Sequence, residues 1–246
     1  MIFSIAWREL KSLFLSPLAW AILVVVQVIL AFLFLSNIEG YLQLQPQLLT
    51  MRNSPGVTEL VVGRQLGSSA IVLLLVMPLL TMRLISEERR NRTLTLLFSA
   101  PLSMSEIIFG KYLGIMAFVG VLLALIALMP LSLLGSADLD PGIVAAGMLG
   151  LAFLLGSFAA VGLFMSTLTQ YPAVAASSTF GVLLLFWLLD WSGDETSLLA
   201  YLSLLNHYEP FLRGVFDSTD AAYYLLVIVM FLVLSIRRLD AERLGG

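Results

Sequence analysis

Side chains able to do acid–base, nucleophilic or metal chemistry are few in this chain and do not cluster. His207 is the sole histidine and cysteine is absent. One imidazole without neighbouring ligands cannot build a zinc site or an obvious acid–base pair, so a structural or gating role is expected of it. The absence of cysteine removes thiolate ligands, a thiol nucleophile and disulfides together. Gly110 and Lys111 lack a glycine five residues upstream and are followed by Tyr112, so they do not form a phosphate-cradling loop. No catalytic cluster and no metal site is expected, nor a cofactor bound by this chain.

Charge concentrates instead in one segment suited to recognition. Arg83, Glu87, Glu88, Arg89, Arg90 and Arg92 lead into Leu94, Leu96 and Leu97, and Pro101, Leu102 and Ser103 then interrupt the pattern. Ser103 with Glu106 three residues on is a capping box that starts a new helix there. Segment 85–109 therefore reads as a short amphipathic helix, a proline turn and a helix entering an apolar run. Two uses fit equally: a docking element for a partner, or a positively charged anchor with a solvated face.

The elements that carry these residues follow from composition. Of 246 residues, 60% are hydrophobic and 12% charged, with a mean hydropathy of +1.00, an apolar share beyond that of soluble domains. Six apolar runs, 18–35, 68–84, 113–134, 143–165, 174–189 and 221–236, approach the roughly 20 residues that cross a hydrocarbon core. Lipid offers no hydrogen-bond partners and these runs do not alternate as barrel strands do, so each is expected to be a helix. The fold class expected is an all-α polytopic membrane protein with six transmembrane helices, forming a single transmembrane domain over 1–246.

Basic residues beside spans stay cytoplasmic. Arg8, Lys11, Arg83, Arg89, Arg90, Arg92, Lys111, Arg237, Arg238 and Arg243 fall on one side, and only Arg52, Arg64 and Arg213 on the other. Both termini are thus expected in the cytoplasm. The first apolar run follows the mixed charges of Arg8, Glu9 and Lys11 and continues through Phe32 and Phe34, so it reads as a retained helix and not a cleaved signal. Residues 1–17 pattern as an interfacial helix anchored by Trp7, with Arg8, Glu9 and Lys11 around the wheel and Pro17 at the corner into the membrane; a helical extension of the first span is the alternative.

The outer segment 36–67 is polar and reads as loop with a short helix. Segment 191–220 carries apolar stretches too short to span, which suits re-entrant or interfacial helices. Gly110 with Gly114, and Ala152, Gly156 and Ala160, allow close helix approach, within one subunit or between two. Gln27 is the clearest buried polar group of the spans, with a local contact or a subunit interface as its use. Pro78 and Pro130 are expected to kink their spans.

The segment from Glu87 to Ser103 resembles the coupling region of class-2 ABC transporter permeases, where a Glu-Arg-rich stretch precedes a Gly-Thr-Leu-Glu-Leu-Leu-like core and a Pro-x-Ser turn. Here Arg92 stands at the usual glycine and Thr95 at the usual glutamate. The opening Trp7, Arg8, Glu9, Leu10, Lys11, with Ser16 and Pro17, is similar to the start of GldF-type permeases. So is the stretch His207, Tyr208, Glu209, Pro210, Phe211 through Arg213, with Tyr223 and Tyr224. The resemblance covers the chain and implies an inner-membrane permease of an ATP-driven exporter. It also implies a pair of ABC ATPase subunits that bind ATP and magnesium, and a second permease subunit, identical or paralogous. A GldG-like extracytoplasmic accessory protein is a further partner it makes plausible, and membrane lipid surrounds the spans; no nucleic acid is implied. Under it Glu87, Glu88, Arg89, Arg90, Arg92, Leu94, Leu96, Leu97, Pro101 and Ser103 form the ATPase-coupling element. His207, Tyr208, Glu209, Phe211 and Arg213 belong to an external gate. The alternative is a unit that passes ATPase strokes to an extracytoplasmic partner with no solute crossing, and the related copper-enzyme maturation permeases offer a second setting.

Overall fold

Long runs of Leu, Val, Ala and Phe have no polar stripe to divide them, so their helices are apolar around most of their circumference, as lipid-embedded helices are. The computed structural model describes residues 1–48, 56–94, 102–133, 135, 138–189 and 202–245. Among these the chain forms helices and no strand. In order they are α1 (Ile2–Leu15), α2 (Pro17–Leu48), α3 (Arg64–Thr81), α4 (Ser86–Arg90), α5 (Met104–Leu131), α6 (Pro141–Leu168), α7 (Pro172–Leu188), α8 (Glu209–Leu212) and α9 (Ser218–Gly245). A π-helical turn, Thr58–Gly63, leads into α3.

Five helical stretches are long and apolar enough to cross a membrane: Pro17–Gln47, Thr58–Arg90, Met104–Leu131, Pro141–Leu168 and Ser218–Leu244. The fifth of the six runs expected from sequence becomes α7, only 17 residues, or about 25 Å at 1.5 Å per residue. α1 packs on the start of α5, and the end of α9 is ion-paired to α4, so both termini lie at one end of the bundle. With α6 finishing at that end and α9 starting at the other, the chain crosses the bundle between them, and α7 is the apolar helix described there.

α6 is the most buried of the long helices and packs against α3, α5, α7 and α9. Its start is capped by the Asp140 carboxylate, which accepts from Gly142 N at 2.8 Å, with Pro141 at the first helical position, where a missing N–H costs nothing. α2 and α9 turn Val24, Val28, Phe32, Leu226, Val229 and Met230 outward. Ser16 is extended, with φ −81° and ψ 124°, so α1 is a separate helix and not a continuation of α2. Trp7, Phe3 and Leu15 on α1 stay exposed, 69% in the case of Trp7, as suits an apolar face laid against the membrane surface.

One sequence expectation shifts. The described residues of segment 36–67 are largely helical: α2 runs on to Leu48, because Leu, Gln and Glu sustain a helix already nucleated in the span. Pro78 and Pro130 lie inside their spans, in the last turns of α3 and α5.

Candidate functional site: a charged junction of four helices

Helix α4 is too short to be stable alone, and its neighbours fix it. The Ser166 hydroxyl of α6 accepts from both Ile85 N and Ser86 N at 3.0 Å and donates to Met82 O at 3.1 Å. Two of the unpaired N–H groups at the start of α4 are thus satisfied by one side chain from another helix. Acidic Glu87 and Glu88 occupy its first turn and basic Arg89 and Arg90 its last, the arrangement its dipole favours.

Lys111, on the second turn of α5, is 1% exposed. Its ammonium lies 3.0 Å from Glu9 of α1 and 2.9 Å from Glu88 of α4. Arg8 of α1 reaches the same Glu88 carboxylate at 3.4 Å. Arg89 pairs with Glu242 near the end of α9, Arg83 with Glu87 at 3.9 Å, and Arg83 also donates to Ser16 Oγ at 2.8 Å. A cluster of Arg8, Glu9, Glu88 and Lys111 therefore ties α4 to α1 and α5, and the separate Arg89–Glu242 pair ties it to α9. A buried ammonium is tolerable only with such partners.

The close approach of α1 is built by the glycine pair seen in sequence. A Cβ at Gly110 would lie 2.7 Å from Ile5 Cβ, and one at Gly114 2.7 Å from Glu9 Cβ. The pair thus packs α1 within the chain and holds Glu9 within reach of Lys111. Gly156, of the second small-residue set, faces Tyr112 and Ile228. Gln27 likewise bonds inside the chain, donating to Leu125 O at 3.3 Å.

The expected coupling residues divide by environment. Glu87, Glu88 and Arg89 are partly buried and engaged within the chain, Leu94 is buried, and Arg90 and Arg92 are exposed. Leu96, Leu97 and Pro101 lie outside the described residues. Ser103 caps α5 as expected: Glu106 N donates to its hydroxyl at 3.2 Å and Ser103 N to Glu106 Oε2 at 3.1 Å. On α1, Trp7, Arg8 and Lys11 are exposed while Glu9 turns inward. Lys111, Ser166 and Glu242 are participants that the sequence reading missed; a basic residue two turns after the Ser103 cap, on the helix that enters the apolar run, was the available signal for Lys111.

Arg92 has φ 57°, the left-handed region that L side chains enter at a cost of about 1–2 kcal/mol, and its turn closes α4 through Thr93 N to Glu88 O at 2.9 Å. Arg92→Gly is expected to leave thermal stability equal or higher, whereas Arg92→Val should lower it by about 1–2 kcal/mol. Thermal unfolding of the purified variants in detergent checks this, and an unperturbed valine variant would contradict it.

At the opposite end, the expected gate residues also divide. His207 Nδ1 lies 2.6 Å from Asp220 Oδ1 of α9, and its ring stacks on Tyr223 at 4.0 Å between centroids. Phe211 is fully buried over Gly150, where a Cβ would come within 2.6 Å of it. Tyr208 is buried with its hydroxyl donating to Gly147 O at 3.4 Å, and burial pushes its phenol well above its ordinary pKa, so it acts as a neutral donor. Glu209 and Arg213 are exposed and paired with each other. Gly214, at φ +80°, ends α8 with Val215 N bonded to Pro210 O at 3.0 Å, the left-handed closure that glycine favours. The described part of this segment is thus clamped onto α6 and α9, and it contains one turn of helix.

A sequence model of the family described as ABC-2 family transporter protein matches residues 3–244. No curated protein matches the chain.

Proposed function

The chain belongs to the ABC-2 transporter family, a multi-pass membrane permease, and from that premise we propose that it is the membrane subunit of an ATP-driven exporter whose ATPase is a separate polypeptide. The observation that carries this reading is the charged junction. α4 is a five-residue helix with an exposed tip at 90–93, and its inner side is bonded to three other helices through Lys111, Glu9, Arg8 and Glu242. A partner pressing on the tip displaces α1, the start of α5 and the end of α9 together, because separating any of them strands a buried charge. Glu88 Oε2 and Arg89 Nε are buried with no hydrogen-bond partner, spare capacity for exchanging partners as α4 moves.

In this reading the charged end with both termini faces the cytoplasm of a bacterial inner membrane, and ATP with magnesium binds to a pair of ATPase subunits there. A second permease subunit completes the complex. The clamped segment at the far end serves as the external gate, with Phe211 and His207 fixing its closed position. The stretches between the two ends carry no ionisable side chain in α6 and α7, which suits an amphiphilic substrate. The same feature favours a second reading, in which strokes pass to an extracytoplasmic partner and nothing crosses. Stimulation of ATPase activity in the reconstituted complex by candidate substrates supports export, whereas stimulation by an extracytoplasmic partner alone supports force transmission.

Arg90 is exposed and its removal strands nothing inside the chain. Arg90→Glu is expected to leave insertion and stability intact and to lower ATPase association about three- to tenfold, through reversed charge at a docking rim. Quantitative co-purification from native membranes reads this, and an unchanged yield would remove the α4 tip from the docking surface.

A further inference from the structure

At the far end, between α2, the π-helical turn and the α8 segment, lies an open recess of about 430 Å³. Its floor is apolar and shallow: Gly63 and Gly67 leave room, and Leu212 covers them, 3.7 Å from where a Gly67 Cβ would stand. Polar groups ring it. Arg64 and Glu59 are both exposed and border the recess, and neither forms an ion pair among the described residues. Arg213 and Glu209, also on the rim, neutralise each other. Asn37 lines the recess and its Nδ2 is buried without an acceptor. Ser68 adds a hydroxyl.

One uncommitted cation, one uncommitted anion and an amide donor lacking an acceptor, around an apolar floor at the ends of two spans, describe a receptor for a zwitterionic amphiphile. We propose that this recess binds the headgroup of a phosphoethanolamine-type phospholipid, with the phosphate toward Arg64, Asn37 and Ser68 and the ammonium toward Glu59. A guanidinium pairs with phosphate through paired charge-assisted hydrogen bonds. Balanced rim charge disfavours a headgroup of net negative charge, and the volume is in the range of small-ligand sites. The site stands on the recess geometry alone and is independent of ATPase coupling.

The test is native mass spectrometry of the full-length chain released from micelles doped with equal amounts of phosphatidylethanolamine, phosphatidylglycerol and diacylglycerol. Phosphatidylethanolamine should be retained about fivefold or more over the other two. Arg64→Ala should abolish retention of both phospholipids, whereas Glu59→Gln should keep phospholipid retention and remove the ethanolamine preference. Both side chains are exposed, and unchanged thermal unfolding confirms folded variants. Retention unchanged by Arg64→Ala, or diacylglycerol retained equally, would overturn the site. Displacement of the lipid by millimolar inorganic phosphate would overturn the lipid assignment in favour of free phosphate.

Discussion

Replacing Lys111 by methionine is expected to destabilise the protein by about 3–5 kcal/mol, the cost of leaving buried carboxylates without their cation. Methionine matches the length and bulk of the lysine stem, so little packing is lost and the effect is electrostatic. Glu9 and Glu88, with side chains 14% and 19% exposed, would face each other with only Arg8, at 3.4 Å from Glu88, as compensation. Converting both acids to glutamine in the same chain should recover most of the loss, since the stranded charges then disappear. That triple variant separates stability from coupling: it should fold and bind the ATPase, but ATPase activity should no longer respond to the permease. Thermal unfolding in detergent followed by ATPase assay of the complex reads both. A single variant within about 0.5 kcal/mol of the parent would show that Lys111 is not the electrostatic centre of the junction.

Gly162→Ala is expected to be the most damaging single-methyl change. The added Cβ would overlap Thr81 Oγ1 and stand 2.6 Å from Thr81 Cβ. Thr81 is fully buried and its hydroxyl is committed to Met77 O at 2.8 Å, so it cannot turn away. α3 and α6 must separate, an overpacking cost of about 1–3 kcal/mol or more. One turn further along α6 is Ser166, which caps α4, so the displacement reaches the junction. Thr81→Ala should rescue poorly, because its Cβ remains, and Thr81→Gly should rescue better. A double-mutant cycle should return a coupling of about 1–3 kcal/mol, and additive losses would contradict the contact.

Lipid-facing helices were legible because a membrane span depends on composition and length, both local properties. The Ser103–Glu106 capping box was legible for the same reason, its two halves being three residues apart. Gly110 and Gly114 announced a close approach, but spacing on one helix cannot identify what lies opposite, here Ile5 and Glu9. Lys111 read as one more cytoplasmic anchor, because its partner Glu9 is 102 positions away in sequence and charge pairing at that range leaves no periodic trace. The reach of α2 to Leu48 was hidden by its polar composition, since a nucleated helix extends through Gln and Glu that would read as loop on their own. The left-handed turn at Arg92 was not legible, because an arginine carries no signal for a positive φ.

The most direct measurement of the proposed coupling is affinity purification of the full-length chain from its native membrane under mild detergent, with mass spectrometry of the proteins retained. An ABC ATPase retained by the parent chain and depleted by Arg90→Glu is the expected result. Recovery of the chain with no ATPase, under conditions that preserve its own fold, would contradict a role for the α4 junction in receiving ATP-driven motion.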